Sequence, residues 1–134
     1  MIMLDINVLL DVLQKRQPHF RASALIMERV LEGQVSGALP AHAITTLHYL
    51  LEKYQSSEKA DEVVAWLLSH FVIAAVDQDQ LSAALQLRWS DFEDAVVATC
   101  AQTLSCEAII TRNVKDFDHS VVPALTPSEY LSKE

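Results

Sequence analysis

Glycine is almost missing from this chain of 134 residues; only Gly33 and Gly37 occur. Neither a GxGxxG turn nor a GxxxxGK loop can be written anywhere, so a doubly wound fold here would not be a dinucleotide or P-loop nucleotide binder of the usual kind. Cysteine is equally scarce. Cys100 and Cys106 form no CxxC and have no histidine at finger-like spacing, which points to two reduced, mostly buried thiols and away from zinc or a disulfide framework. The apolar runs, such as Phe71 to Val76, fall far short of the roughly 20 residues needed to cross a bilayer. A basic start followed by an apolar stretch and a small-residue cleavage site is also lacking, so no membrane association is expected and the cytoplasm is the default location. Positive charge is short as well, with 10 Lys and Arg against 18 Asp and Glu and a net charge of −8. Phosphate contacts normally make nucleic-acid binders basic, so this balance counts against such a ligand. Carboxylates gathered around a metal ion would account for part of the deficit.

What is present suits a globular α/β protein. Hydrophobic residues make up 51% of the chain and charged residues 21%, and the length suits one domain over residues 1–134. Met1 to Leu4 is a continuous apolar run ending at Asp5, as expected of a strand buried on both faces. Helical patterns follow over residues 7–14 and from His19 to Leu31, the latter stopped by Gly33. A short strand is expected around Val35 to Ala38, ending at Pro40. A helix over Ala41–Tyr54 carries the stripe Ile44, Leu47, Leu51 and Tyr54, and another runs from Glu58 to Ser69. Phe71 to Val76 reads as a second buried strand. Asp77, with Gln80, caps a helix through Arg88. Residues 91–104 form a helix leading to a strand over Ala108–Thr111. Val121 to Leu125, interrupted by Pro123, suits an edge strand, and Pro127 opens a C-terminal helix. Strands alternating with helices imply a parallel sheet of about five strands covered on both faces, a three-layer α/β/α architecture.

In such a sheet, ligands bind outside the carboxyl ends of the strands. Asp5 ends the first strand. A helix preceding a parallel strand runs antiparallel to it, so Asp91 and Asp94 at the start of the 91–104 helix reach the same edge. The loop after Thr111, with Asn113 and Asp116, leaves from that edge too. Ser90 to Glu93 matches a capping box, which assigns Ser90 and Glu93 to structure and lets Asp91 suit the helix dipole. Asp94 has no such duty. Two carboxylates about 5 Å apart repel by roughly 3 kcal/mol at an effective dielectric near 20, so the cluster needs protons or a divalent cation. Oxygen-only ligands favour Mg²⁺ or Mn²⁺, which can activate water and stabilise the departing oxygen of a phosphodiester.

At these residues the chain resembles the PIN-domain family along nearly its whole length. Asp5-Ile6-Asn7-Val8-Leu9-Leu10-Asp11 resembles the opening signature. Asp91-Phe92-Glu93-Asp94-Ala95, followed by Ala98 and Ala101, resembles the central acidic helix. Ile110-Thr111-Arg112-Asn113-Val114-Lys115-Asp116-Phe117 resembles the late block. The resemblance implies a metal-dependent ribonuclease, often the VapC-like toxin of a toxin–antitoxin pair, with RNA as substrate, an antitoxin as partner and a homodimeric state. It implies Asp5, Asp94 and Asp116 (or Asn113) as metal ligands, with Asp91 supporting Asp94 or replacing it. Asn7 and Thr111 match polar residues that orient ligands or water. Arg112 and Lys115 become candidates for phosphate contact, against a plain reading as solvated loop charge. The family's glutamate in a Thr-x-x-Glu pattern is replaced here, in Thr45-Thr46-Leu47-His48, by His48, which faces either the site or the core; Glu52 is one turn beyond it. His19, His42, His70 and His119 show no ligand spacing.

Two other classes compete with a nuclease. A non-catalytic PIN-like module that binds RNA or protein draws support from His48. A receiver-like phosphoacceptor would need an acidic pair at the end of the first strand, where Asp5 stands alone.

Overall fold

The run Ile-Met-Leu has no polar face to show to water, and it becomes the centre of the molecule: Ile2, Met3 and Leu4 form strand β1 and are fully buried. A computed structural model describes residues 1–133. Along the chain, β1 (Ile2–Leu4) is followed by α1 (Ile6–Leu13), α2 (Phe20–Leu31), β2 (Gly37–Pro40), α3 (Ala41–Tyr54), α4 (Ser57–His70) and β3 (Val72–Ala74). Next come α5 (Gln78–Leu87), α6 (Phe92–Thr103), β4 (Ala108–Ile110), a 3-10 turn (Val114–Phe117), β5 (Ala124–Leu125) and α7 (Pro127–Ser132). The strands lie in the order β3-β2-β1-β4-β5, all parallel, with Met3 paired to Ala38 on one side and to Ile109 on the other.

Alternation along the strands divides the core in two. Ile2, Leu4, Leu39 and Ile110 pack with α1 to α4 on one face, and Met3, Ala38, Ala74 and Ile109 pack with α5 and α6 on the other. The three-layer α/β/α expectation holds. Gly37 is required by closeness: a Cβ there would stand 2.8 Å from the Phe71 ring. Gly33 has φ 75° and ends α2, as its position suggested.

Several local expectations shift. The second strand starts at Gly37, two residues after Val35, because β1 pairs in register with Gly37 and Ala38. The third strand is an edge strand with exposed Val72, so the apolar run Phe71 to Val76 is not buried throughout, although Phe71 and Ile73 pack on one face of the sheet and Ala74 and Val76 on the other. Tyr54 does not continue the buried stripe of Leu47 and Leu51; it is exposed at the end of α3. Asp77 and Gln80 do form the capping box of α5, and Thr126 with Glu129 forms another around Pro127 at α7. Cys100 and Cys106 are buried and unpaired, and burial pushes the Cys100 thiol up to about 11. Among the described residues no helix is long and apolar enough to cross a membrane.

Candidate active site

The chain leaves β1 towards β2 but, after β4, leaves towards β5 on the opposite side, so the order reverses between these two central strands. A cleft opens outside the carboxyl ends of strands at such a reversal. Asp5 follows β1 and Thr111 follows β4, and the Asp5 amide donates to the Ile110 carbonyl at 3.0 Å. The Thr111 hydroxyl, fully buried, donates to Asp5 Oδ2 at 2.8 Å, and the Asn113 amide donates to Thr111 Oγ1 at 3.1 Å. Asp5 makes no regular side-chain capping bond to α1, and it lines a small cavity at this edge. Burial raises the Asp5 pKa, partly offset by the Thr111 hydroxyl, the amides of Asn7 and Ile6, and the Arg112 charge.

The acidic helix enters differently from the capping-box expectation. Its cap is Asp91, whose carboxylate accepts from the Asp94 amide at 3.0 Å, so Ser90 is not the cap and Asp91 sits just before the first turn. An aspartate makes this cap as well as serine does, and one position later it brings Asp94 to N3. Glu93 has no capping partner in α6 and instead lines the small cavity with Asp5, His42 and Thr46. Asp94 and Asp116 line a second, larger cavity with Asp91 and Lys115.

These carboxylates sense one another. Burial, followed by the charges of Asp91, Asp5, Asp116 and Glu93, lifts the Asp94 pKa to about 7. Asp94 therefore binds a proton more tightly in the folded than in the unfolded chain, and folding takes up protons between the usual 3.8 and about 7. Across that window the metal-free protein loses stability as pH rises, and above it the loss is complete. Asp94→Asn is thus expected to raise the thermal midpoint of the metal-free protein near pH 8, with the gain shrinking towards about pH 4. Melting curves with EDTA across that range check it, and a gain independent of pH would refute the coupling.

Among the described residues no three His, Cys, Asp or Glu side chains already surround one point closely enough to hold an ion. The donor set itself fits Mg²⁺ or Mn²⁺: all oxygen, carried by three remote segments, with a carboxylate whose charge calls for a counter-ion.

One expected residue, His48, is elsewhere, and Glu52 beyond it is not brought to the site either. His48 Nε2 lies 2.8 Å from Asp61 Oδ1 and so turns to α4, while Glu52 accepts from the Ser57 hydroxyl at 2.9 Å. Position explains this. The N-terminus of α3 is at the site edge, and His48 lies about 10 Å further along the axis at 1.5 Å per residue. His42 and Thr46, within the first turns, share the small cavity with Asp5 in their place, and His42 Nδ1 is buried without a hydrogen-bond partner. Because α3 leaves directly from the carboxyl end of β2, its first turn lies at this edge, and that reasoning would have found His42.

Arg112 is not a solvated loop charge. Its Nε lies 3.3 Å from Oδ2 of Asp11, a carboxylate of α1 that is wholly buried and also receives the Ser23 hydroxyl at 3.4 Å. Asp11 lay in the opening motif without an assigned role. Lys115 and Asn113 are exposed on the loop after β4.

The comparisons with known proteins agree with this architecture. A PIN-domain family model matches residues 1–115. No curated protein sequence matches the chain. Among solved structures, a toxin–antitoxin complex from Klebsiella pneumoniae is similar at TM-score 0.71 and 24% identity, covering 95% of this chain and 98% of that one. VapBC2 from Rickettsia felis, bound to a DNA fragment from its promoter, is similar at TM-score 0.72 and 19% identity, covering 94% and 98%. VapC20 from Mycobacterium tuberculosis, described as a toxin that cleaves the sarcin–ricin loop, is similar at TM-score 0.64 and 14% identity, covering 81% and 87%. At these identities the likeness to the solved structures is one of fold. The family model spans most of the sequence, taking in Asp5, Asp91 and Asp94 and ending one residue before Asp116, and the chain belongs to the PIN-domain family.

Proposed function

We propose that the protein is a divalent-metal-dependent endoribonuclease that hydrolyses RNA phosphodiesters, acting as the toxin of a toxin–antitoxin pair. The observation that carries this reading is the electrostatic convergence of Asp5, Asp94 and Asp116, from three distant segments, at the reversal point of the sheet. Asp5, Asp94 and Asp116 would hold Mg²⁺ or Mn²⁺. When bound, such an ion supplies Lewis-acid stabilisation of phosphate charge and makes water a better nucleophile near neutral pH.

The protein's own groups supply position. Thr111, held in turn by the Asn113 amide, fixes one oxygen of Asp5. Asp91, by capping α6, fixes the backbone from which Asp94 projects. Asn7, in the first turn of α1, contributes its amide to the Asp5 environment. Lys115, exposed beside Asp116, is placed to meet an RNA phosphate, while Arg112 is committed first to Asp11.

An antitoxin partner and a homodimer belong to the same reading. The Klebsiella pneumoniae and Rickettsia felis structures above are a toxin–antitoxin complex and a VapBC assembly. The first helix α1 is largely spent on the core, but Leu25 and Leu31 of α2 and Leu81, Leu85 and Leu87 of α5 are exposed apolar side chains for such partners.

The test is direct. Single-stranded RNA should be cut in Mg²⁺ or Mn²⁺ and left intact in EDTA; undiminished cutting in EDTA, or none with either ion, would end the proposal. A non-catalytic PIN-like module is the second reading, favoured by the lack of a ready-made ion cage among the described residues. Calorimetric titration with Mn²⁺ separates the two, because such a module gives no binding heat.

A further inference from the structure

The larger cavity beside Asp94 and Asp116 has a volume of about 380 Å³ and one wall made by Trp89. That is ample for a planar heterocycle, since small-ligand pockets start near 300 Å³. Trp89 follows the left-handed residue Arg88 that ends α5, and so sits in the link between α5 and α6. Its ring meets the buried Phe117 edge to face, with centroids 6.0 Å apart at 78°. That contact anchors an aromatic plate that is only half-buried and borders the acidic cluster.

The charges of the cavity decide what enters. Asp91, Asp94, Asp116 and Asp118 line it, opposed by Lys115, with His119 at the same wall. A phosphate would be repelled from such a lining unless a cation stood between, whereas a neutral base would not. Carboxylates also accept hydrogen bonds from the amino and imino N–H groups on base edges. Asp94 lines this cavity and also senses the Asp5 charge, so an occupant lies beside the carboxylates proposed to hold the ion at the scissile phosphate. In duplex RNA the bases are stacked and out of reach, while unpaired bases can be splayed onto aromatic side chains.

We propose that this cavity is a subsite for a single unstacked base of single-stranded RNA, flanking the scissile phosphate, with Trp89 as its stacking platform and Lys115 at the adjoining backbone. The proposal rests on the ribonuclease reading but is tested by binding, not cleavage. The chain has two tryptophans, so Trp66→Phe leaves Trp89 as the sole indole reporter.

The titrants are a single-stranded RNA octamer, the same octamer with abasic residues, and the matching duplex, each with Ca²⁺ in place of Mg²⁺. The expected result is quenching of Trp89 fluorescence by the intact octamer alone. Trp89→Leu, which still packs on Phe117, should weaken octamer binding about 5- to 150-fold, the loss expected for one base–aromatic stack, while Trp89→Phe retains most of the affinity. Equal affinities for these variants and the parent, or quenching as strong with abasic or duplex RNA, would overturn the subsite. Should quenching persist in a protein that cuts no RNA in Mg²⁺, the nuclease reading fails and the subsite stands. Cleavage without quenching would remove the subsite and leave the nuclease in place.

Discussion

Asp94→Asn should lower kcat/KM for RNA cleavage in Mg²⁺ by about 100-fold or more, a size typical of losing one directly placed charge-stabilising group. The substitution is nearly isosteric, and it spares the start of α6 because the cap bond uses the backbone amide of residue 94, not its side chain. The neutral amide keeps one acceptor oxygen but removes the negative charge whose proximity to Asp91, Asp5, Asp116 and Glu93 makes the site cation-seeking. Affinity for Mn²⁺ should fall with activity, and circular dichroism should be unchanged. Glu93→Gln is the matched control: the same charge is removed one residue away, from a side chain that lines the smaller cavity. Its effect should be well below that of Asp94→Asn. A variant at Asp94 that cuts within threefold of the parent would place the chemistry elsewhere.

Which parts of this site were readable from sequence follows from how local each cause is. The strand ends and helix starts could be located because a buried strand needs a run such as Ile2–Leu4 and a helix start needs an Asp77 or a Thr126. Topology then delivered Asp5, Asp94 and Asp116 to one edge without any coordinates. Positions along a helix, displaced by one residue at the α6 cap and by six on α3, were not fixed by the same reasoning. Moving the cap from Ser90 to Asp91 turned Glu93 away from capping and towards the cavity of Asp5. Choosing His48 over His42 put the histidine two turns down α3, where it meets Asp61. Side-chain direction on a helix changes by about 100° per residue, so a motif matched by type alone does not fix the face. Asp11 and Arg112 were unreadable as a pair for another reason: they lie on α1 and in the loop after β4, and only the sheet order between β1 and β4 brings them together.

That pair carries the second large effect. Arg112→Met is expected to destabilise the fold by about 3 kcal/mol, the lower end of the cost of stranding one member of a buried ion pair. The lower end applies because the Arg112 side chain keeps 26% of its surface in solvent, whereas Asp11 has none. Oδ1 of Asp11 already lacks a hydrogen-bond partner, so the guanidinium is the main compensation for a carboxylate sealed under α2. At about 3 °C per kcal/mol for a chain of this size, the thermal midpoint should drop by roughly 10 °C. Asp11→Asn with Arg112→Met should lose much less than the sum of the two single losses, since the double variant leaves no unpaired charge behind. This cycle separates anchoring from phosphate contact. An arginine serving only RNA would leave the melting curve untouched when replaced, raise KM, and show no coupling to Asp11. Strong coupling in stability would instead mean that Arg112 clamps the loop after β4 onto α1, and so holds Thr111, and through it Asp5, where the site needs them.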